Sequence, residues 1–150
     1  MKQVLRLTVP VVLVIAAAMI IARLASGPIL HAADLDAFRA GLTLEEASLR
    51  SQESGKPVLI FATADWCGPC QELKRSVLAD SEVARAILNK TEPVYFDLTN
   101  ARSDAALSQR AQQMRIASVP ALILQRDGVE VARLQGGQSR SSMLIWLNSH

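Results

Sequence analysis

The feature that most constrains this chain is the segment Trp66-Cys67-Gly68-Pro69-Cys70, which holds its only two cysteines three positions apart. It follows an apolar run at residues 58–62 and precedes a helical pattern at residues 71–78. A cysteine delivered by a buried strand to the start of a helix is reactive, because the backbone N–H groups and the helix dipole there stabilise a thiolate. We therefore predict that Cys67 is the exposed attacking sulfur and that Cys70, inside the helix, is the resolving one.

Three other uses of this cysteine pair can be weighed: a structural staple, half of a zinc site, or two inert thiols. A loop this short constrains the unfolded chain very little, so a staple would add little stability. Zinc prefers four ligands, and the only histidines, His31 and His150, lie near opposite ends of the region after the leader. Inert thiols would not need Gly68-Pro69 between them, and Pro69 suits a first helical turn. The pattern favours a redox-active dithiol that needs no metal or organic cofactor.

The N-terminal segment predicts export. Met1–Arg6 is a basic start, Leu7–Ala22 carries no charge, and Arg23 closes the run. That apolar length lies between a signal-peptide core and a membrane span. We predict a signal-anchor or signal peptide at residues 1–24, favouring an uncleaved anchor because no clear A-x-A site follows, and a tether at residues 25–39. Either form keeps the basic N-terminus in the cytoplasm, so the domain is expected at the periplasmic face of the inner membrane or, after cleavage, in the periplasm.

The charge balance argues against a nucleic-acid partner. The chain has a formal net charge of +2, but three of its 16 basic residues, Lys2, Arg6 and Arg23, belong to the leader. The remainder, residues 34–150, carries 13 basic and 14 acidic side chains. The high isoelectric point therefore mostly reflects the basic residues of the leader, which set its orientation in the membrane. The sequence has no basic stripe interleaved with aromatic residues, the pattern typical of nucleic-acid binding. An exported domain with a single cysteine pair is more typical of a redox catalyst than of a disulfide scaffold.

Residues 40–150 show the pattern of one α/β domain in the order β-α-β-α-β-β-α. Thr43 and Glu46 form a capping box that begins a preceding helix, and Gly55 ends it. Asp127-Gly128 predicts a hairpin turn. Later helices are predicted to begin after the N-cap residues Ser81, Ser103 and Ser139. The predicted strands are Val58–Thr63, Pro93–Leu98, Ala121–Gln125 and Val129–Leu134.

This pattern resembles the thioredoxin family over about residues 40–150. It is most similar to the C-terminal periplasmic domain of the disulfide reductase DsbD and related membrane-anchored thioredoxin-like proteins. The resemblance implies a thioredoxin-like α/β fold, a central mixed β-sheet flanked by helices, preceded here by an N-terminal hydrophobic helix. The residues that carry it are Trp66–Cys70, Val119-Pro120, Asp127-Gly128 and Gly136 for the family, and Ala64–Cys67 with Asp97–Asn100 for the subgroup.

The resemblance also implies roles for individual residues. Cys67 and Cys70 are expected to be catalytic and to form the redox-active disulfide, and Pro120 is expected to be cis. A cis-proline bends the chain and leaves the backbone of Val119 free to pair with an extended substrate, although the same two residues could merely open a strand. The substrate-binding residues expected on this basis are Trp66, Gly68, Pro69, Val119 and Pro120.

The sequence departs from the family at one position. Thioredoxins place a buried acidic residue in the strand before the motif, where it helps to move protons between the sulfurs, and Phe61 stands there in this chain. The adjoining strand has no lysine at Val94–Phe96, and Asp65 is expected nearer the surface. A missing base would slow resolution of the mixed disulfide unless another group supplies it. Two further residues are expected to be structural: Asp97 in a turn and Trp146 in the packing of the last helix.

These observations predict an exported, membrane-tethered thiol–disulfide oxidoreductase that reduces disulfides of exported partner proteins. Because the periplasm is oxidising, the resemblance implies a membrane electron donor of the DsbD type. One alternative is a disulfide oxidase or isomerase that uses the same site. Another is a non-catalytic tethered chaperone or a Cu(I)-binding module that uses both thiolates.

Overall fold

The structure is a computed structural model that describes residues 12–21 and 27–150. Residues 12–21 are helical (α1), and their large apolar side chains are exposed. Within the described part of the chain, no helix combines the length and the apolar character needed to cross a bilayer. The basic residues of the predicted leader, Lys2, Arg6 and Arg23, lie outside the described residues.

A four-stranded mixed sheet forms the centre of the domain, as the sequence predicts. The first strand, β1 (Val58–Thr63), is buried at all six positions, as its uninterrupted apolar sequence requires. It pairs in parallel with β2 (Glu92–Asp97) and antiparallel with β3 (Ala121–Arg126), which pairs antiparallel with β4 (Val129–Gln135). The spatial order is therefore β2-β1-β3-β4. Asp127 and Gly128 both adopt positive φ in the β3–β4 hairpin, which confirms the predicted turn.

The sheet is covered by helices on both faces. Side chains alternate along β1: Leu59 and Phe61 pack on one face, and Ile60 and Ala62 pack on the other. The helices that cover the sheet are α2 (Leu44–Ser54), α3 (Gly68–Leu73) with a π-helical continuation at Lys74–Leu78, α4 (Ser81–Lys90), α5 (Ala105–Gln113) and α6 (Arg140–Ser149). The first face is covered by α3, α4 and α6, and the second by α2 and α5.

Helix caps confirm two predicted boundaries and correct two others. The capping box of Thr43 and Glu46 is formed, and Ser139 caps α6. The N-cap of α4 is Asp80 rather than Ser81, because the Asp80 carboxylate accepts hydrogen bonds from the amides of Glu82 and Val83. The N-cap of α5 is Asp104 rather than Ser103. Its carboxylate accepts from the amide of Leu107 at 3.0 Å.

Part of the segment predicted as a tether packs against the domain. Two short 3-10 turns, Ala32–Asp34 and Asp36–Phe38, precede α2. Leu35 and Phe38 are fully buried among the core residues of the α4 and α6 face. The ring of Phe38 lies 5.6 Å from that of Phe61, centroid to centroid. Residues before position 40 therefore contribute to the hydrophobic core.

Candidate active site

The two cysteines lie where β1 gives way to α3. The chain leaves β1 at Thr63 and turns so that the Cys67 amide donates to the carbonyl oxygen of Ala64. Cys67 is the N-cap of α3, and Pro69 occupies the first turn, where its missing N–H leaves no bond unmade. Cys67 and Cys70 form a disulfide with an S–S distance of 2.08 Å.

The burial of the two sulfurs differs from the expectation in one respect. Cys67 was expected to be exposed, but only 5% of its surface is accessible, and Cys70 is fully buried. The reason is that Cys67 packs with Ala64, Cys70 and Val119 in a small apolar cluster. Cys67 is still the more accessible cysteine of the two, and its neighbours Gly68 and Pro69 are exposed.

Local hydrogen bonding favours negative charge on Cys67. The amide of Cys70 donates to Sγ of Cys67 at 3.1 Å. This sulfur caps a helix that continues to Leu78 through its π-helical turn. A hydrogen bond to a thiolate and the positive end of the helix dipole both lower a thiol pKa, so the arrangement supports the predicted attacking role of Cys67.

Val119 and Pro120 lie directly against the dithiol. The peptide bond between them is cis, as the sequence predicts. The Val119 carbonyl oxygen lies 3.6 Å from Sγ of Cys67. Pro120 is buried, and its own carbonyl accepts from the amide of Gly136. Val119, rather than Pro120, therefore presents the accessible backbone at this edge of the site.

Trp66 forms the exposed rim of the site. It is 64% exposed, and its indole N–H donates to the carbonyl oxygen of Thr99 at 3.2 Å. The hydroxyl of Thr99 accepts from the amide of Asp65, and the carboxylate of Asp97 accepts from the amide of Thr99. Asp97 thus has the turn role that the sequence predicts, and the loop after β2 is fastened to the loop before the dithiol. Trp146 is buried in α6, as expected.

A largely apolar groove begins beside the dithiol and extends along α5. Its volume is about 430 Å³. Its lining includes Trp66, which precedes Cys67 in the chain, and Val119, whose carbonyl oxygen lies 3.6 Å from Sγ of Cys67, so the groove lies next to the dithiol. The remaining lining includes Leu98, Ala101, Ala111, Gln112, Ile116 and Ser118.

The position of the missing strand acid is filled by hydrophobic packing. Phe61 is fully buried, and its ring lies 5.6 Å from Phe38 and 5.7 Å from Tyr95. Asp65 is closer to the surface, with 26% of its side chain exposed, although its Oδ1 atom is buried. No carboxylate therefore occupies the interior at the strand position where the family places one.

Lys74 is a buried cation that the sequence patterns did not predict. Lys74 has no exposed side-chain surface and lies one helical turn after Cys70. Its position could have been recognised from spacing, because Cys70, Lys74 and Val77 recur at the interval of one helix face. In the sequence, however, Lys74 lies between Leu73 and Arg75 in a polar segment, where a lysine is usually exposed to solvent.

Comparison with known proteins decides the family. Residues 44–150 match the thioredoxin-like domain family. The chain belongs to that family. A thioredoxin of Mycobacterium bovis is 35% identical over 92 residues, which cover 61% of this chain and 71% of the relative.

Solved structures that share the fold include the following two. The C-terminal domain of Neisseria meningitidis DsbD in its reduced form aligns with a TM-score of 0.60 and 21% identity, covering 69% of this chain and 89% of that domain. A disulphide isomerase from Xylella fastidiosa aligns with a TM-score of 0.58 and 23% identity, covering 71% and 86%. Family membership and the Cys67–Cys70 pair together identify the chain as a thiol–disulfide oxidoreductase, and the DsbD domain suggested by the sequence motifs is among its structural neighbours.

Proposed function

We propose that this thioredoxin-like protein is exported, is held at the periplasmic face of the inner membrane by its N-terminal segment, and reduces disulfides in partner proteins. The observation that carries the proposed reaction is the groove next to Cys67, which is lined by Trp66 and Val119. It is open, mainly apolar and bounded by the exposed ring of Trp66 and the backbone of Val119. A site of this shape suits an extended segment of a protein better than a small thiol.

The substrate segment is proposed to lie across Trp66 and along Val119. The Val119 carbonyl is a hydrogen-bond acceptor 3.6 Å from Sγ of Cys67, so a backbone N–H bound there would hold the neighbouring disulfide beside the sulfur. The exposed Gly68 and Pro69 leave room for the partner chain on the other side. Pro120 contributes by shaping the backbone, since its side chain is buried.

The chemistry is a two-step exchange in which the two cysteines carry two electrons. The Cys67 thiolate attacks one sulfur of the partner disulfide, forming a mixed disulfide and releasing the other partner sulfur as a thiolate. Cys70 then loses its proton and attacks Sγ of Cys67, which releases the second partner thiolate and closes the Cys67–Cys70 disulfide. The partner disulfide is reduced, the protein dithiol is oxidised, and the released partner thiolates take up protons.

The direction of electron flow and the location form the remainder of the proposal. The basic start, the uncharged run at residues 7–22 and the exposed apolar side chains of α1 support membrane attachment. An exported reductase must be reduced again in an oxidising compartment, so a membrane electron donor of the DsbD type is proposed as its partner. The DsbD C-terminal domain among the structural neighbours supports this choice.

The second candidate is a disulfide isomerase or oxidase with the same cysteines. It is favoured by the structural neighbour described as a disulphide isomerase. Reduction of insulin by dithiothreitol, with and without the protein, tests the reductase proposal. Wild-type protein should accelerate insulin precipitation, and Cys67→Ser should abolish the acceleration. A wild-type protein that refolds scrambled ribonuclease but does not reduce insulin would instead support the isomerase.

A further inference from the structure

Lys74 is a charged side chain in the interior of the domain, on the same helix as the dithiol. Its side chain has no exposed surface, and it follows Cys70 by four residues, the spacing of adjacent positions on one helix face. Burial of an ammonium group removes its hydration, so lysine is almost never fully buried without partners. The contacts of Lys74 therefore require a physical explanation.

Three groups surround the Lys74 ammonium. Its Nζ donates to the carbonyl oxygen of Leu30 at 2.7 Å. It lies 4.0 Å from Oδ1 of Asp65 and 5.1 Å from the centroid of the Tyr95 ring. The carbonyl makes one full hydrogen bond, while the carboxylate is at the outer limit of an ion pair. The ammonium is thus fixed in place without being closely neutralised.

The carbonyl comes from residues 27–34, which we name the strap. The strap lies along the dithiol helix: the Leu30 amide donates to Oε1 of Gln71 at 2.9 Å, and Arg75 donates to the Pro28 carbonyl at 3.4 Å. In addition, Nδ1 of His31 lies 3.6 Å from Oδ1 of Asp65. These contacts join a segment next to the predicted membrane anchor to the helix that begins at Cys67.

The charged and titratable groups that face Lys74 come from several elements. Asp65 lies after β1, Asp97 ends β2 and Asp34 belongs to the strap, and all three carboxylates favour the charged ammonium. Burial acts in the opposite direction and lowers the pKa of Lys74. Burial also raises the pKa of Tyr95, so its hydroxyl stays neutral beside the ammonium. The apolar Phe61 contributes no charge from β1.

We propose that Lys74 is a positioning residue of the exchange reaction: its buried ammonium, held by the Leu30 carbonyl of the strap, stabilises the thiolate that forms when the Cys67–Cys70 disulfide is reduced. This inference rests on the thiol–disulfide exchange described above. Reduction by glutathione transfers two electrons, converts the disulfide to a Cys67 thiolate and a Cys70 thiol, and yields oxidised glutathione. A fixed, buried positive charge one helical turn after Cys70 favours that reduced state, because interactions between charges are stronger in the interior than in water.

The role of the strap follows from the same contacts. Since the ammonium is held by a backbone carbonyl and not by a close carboxylate, its position depends on the strap remaining in place. A domain that begins after residue 34 would lose this hydrogen bond. The segment next to the predicted anchor is therefore part of the redox site.

The experiment compares Lys74→Met, which keeps the length but removes the charge, with Lys74→Arg, which keeps the charge, in the full chain. Arg75→Met is the matched control, because it removes a neighbouring cation that also contacts the strap but is partly exposed. Two quantities are measured: the pKa of Cys67, from thiolate absorbance, and the equilibrium between dithiol and disulfide in glutathione buffers at pH 8, which favours the charged ammonium more than a higher pH would. Circular dichroism verifies folding, and Lys74→Gln replaces Lys74→Met if the latter does not fold.

Lys74→Met should raise the pKa of Cys67 by about one unit, the lower end for loss of a nearby opposite charge. At pH 8, each unit of that rise shifts the glutathione equilibrium by up to about tenfold toward the disulfide. Lys74→Arg and Arg75→Met should remain within about twofold of wild type at that pH, because both variants keep the positive charge at position 74. Unchanged values for Lys74→Met, or an equal shift for Arg75→Met, would overturn the inference. Both results are independent of insulin reduction, so failure of the proposed function would be seen separately.

Discussion

The amide of Cys70 donates a hydrogen bond to Sγ of Cys67 across 3.1 Å, so the second cysteine of the pair solvates the first. When the disulfide opens, this bond and the helix dipole stabilise negative charge on Cys67, while Cys70 remains fully buried. The two sulfurs thus have different environments although only two residues separate them. This difference underlies the assignment of Cys67 as nucleophile and Cys70 as resolving cysteine.

Replacement of Trp66 should weaken the docking of protein substrates more than it slows the chemistry. Trp66 is exposed and lines the groove next to the dithiol, and truncation of an aromatic side chain that anchors a partner typically costs more than about 1 kcal/mol. Trp66→Ala should raise KM for a disulfide-containing peptide by about tenfold, while kcat changes little. Steady-state kinetics with that peptide measure both constants. Leu49→Ala, which removes an exposed apolar side chain of α2, is the control and should leave KM unchanged.

Truncation of Phe61 should destabilise the fold strongly. Its ring is fully buried and contacts the rings of Phe38 and Tyr95. Phe61→Ala should lower the free energy of unfolding by about 3–5 kcal/mol, because it removes buried apolar surface and leaves a cavity. Phe61→Leu should cost less than Phe61→Ala, because it removes less buried surface and leaves a smaller cavity. Urea denaturation provides both values, and a small loss for Phe61→Ala would show that this position is not part of a tightly packed core.

Removal of the Asp80 carboxylate should destabilise the protein at neutral pH and have less effect in acid. The pKa of Asp80 is lowered chiefly by the hydrogen bond from the Val83 amide, so its ionised form is favoured in the folded state. A carboxyl group whose pKa is lower in the folded state than in the unfolded state stabilises the fold at pH values above its unfolded-state pKa. This stabilisation is lost as the pH falls through the folded-state pKa. Asp80→Ala should therefore lower Tm at pH 7, with a difference from wild type that shrinks below about pH 4.

Ser81→Ala is the matched control for the cap, because Ser81 was the residue that the sequence indicated. Asp80 accepts from two amides and pairs with Arg140 at 3.0 Å, whereas Ser81 begins the helix proper. Ser81→Ala should change Tm much less than Asp80→Ala at pH 7. Equal changes in scanning calorimetry would contradict the assigned cap.

Local sequence signals predicted most of the fold. The uninterrupted apolar run of β1, the capping box at Thr43 and the turn at Asp127-Gly128 each act over a few residues, and the structure has all three. The errors at Asp80 and Asp104 have a common cause. An aspartate is adjacent to each serine, before Ser81 and after Ser103, and its carboxylate accepts from the helix amides instead.

The parts of the site that the sequence could not predict depend on long-range contacts. The hydrogen bond of Lys74 joins it to Leu30, 44 positions earlier in the chain, and no periodicity reports such a pairing. The burial of Cys67 depends on Val119, 52 positions later. Motif reasoning therefore identified the reactive residues, while the tertiary structure determined how deeply they lie and which charges surround them.

The most direct test of the proposed reaction is the capture of partner proteins by the full-length Cys70→Ala variant in intact cells. Without Cys70 the mixed disulfide cannot be resolved, so partners should remain attached to Cys67 and should be released by dithiothreitol. Mass spectrometry of the adducts should identify Cys67 as the linked residue and exported proteins as the partners. An absence of reducible adducts, or adducts as abundant when Cys67 is also replaced by Ala, would contradict the account.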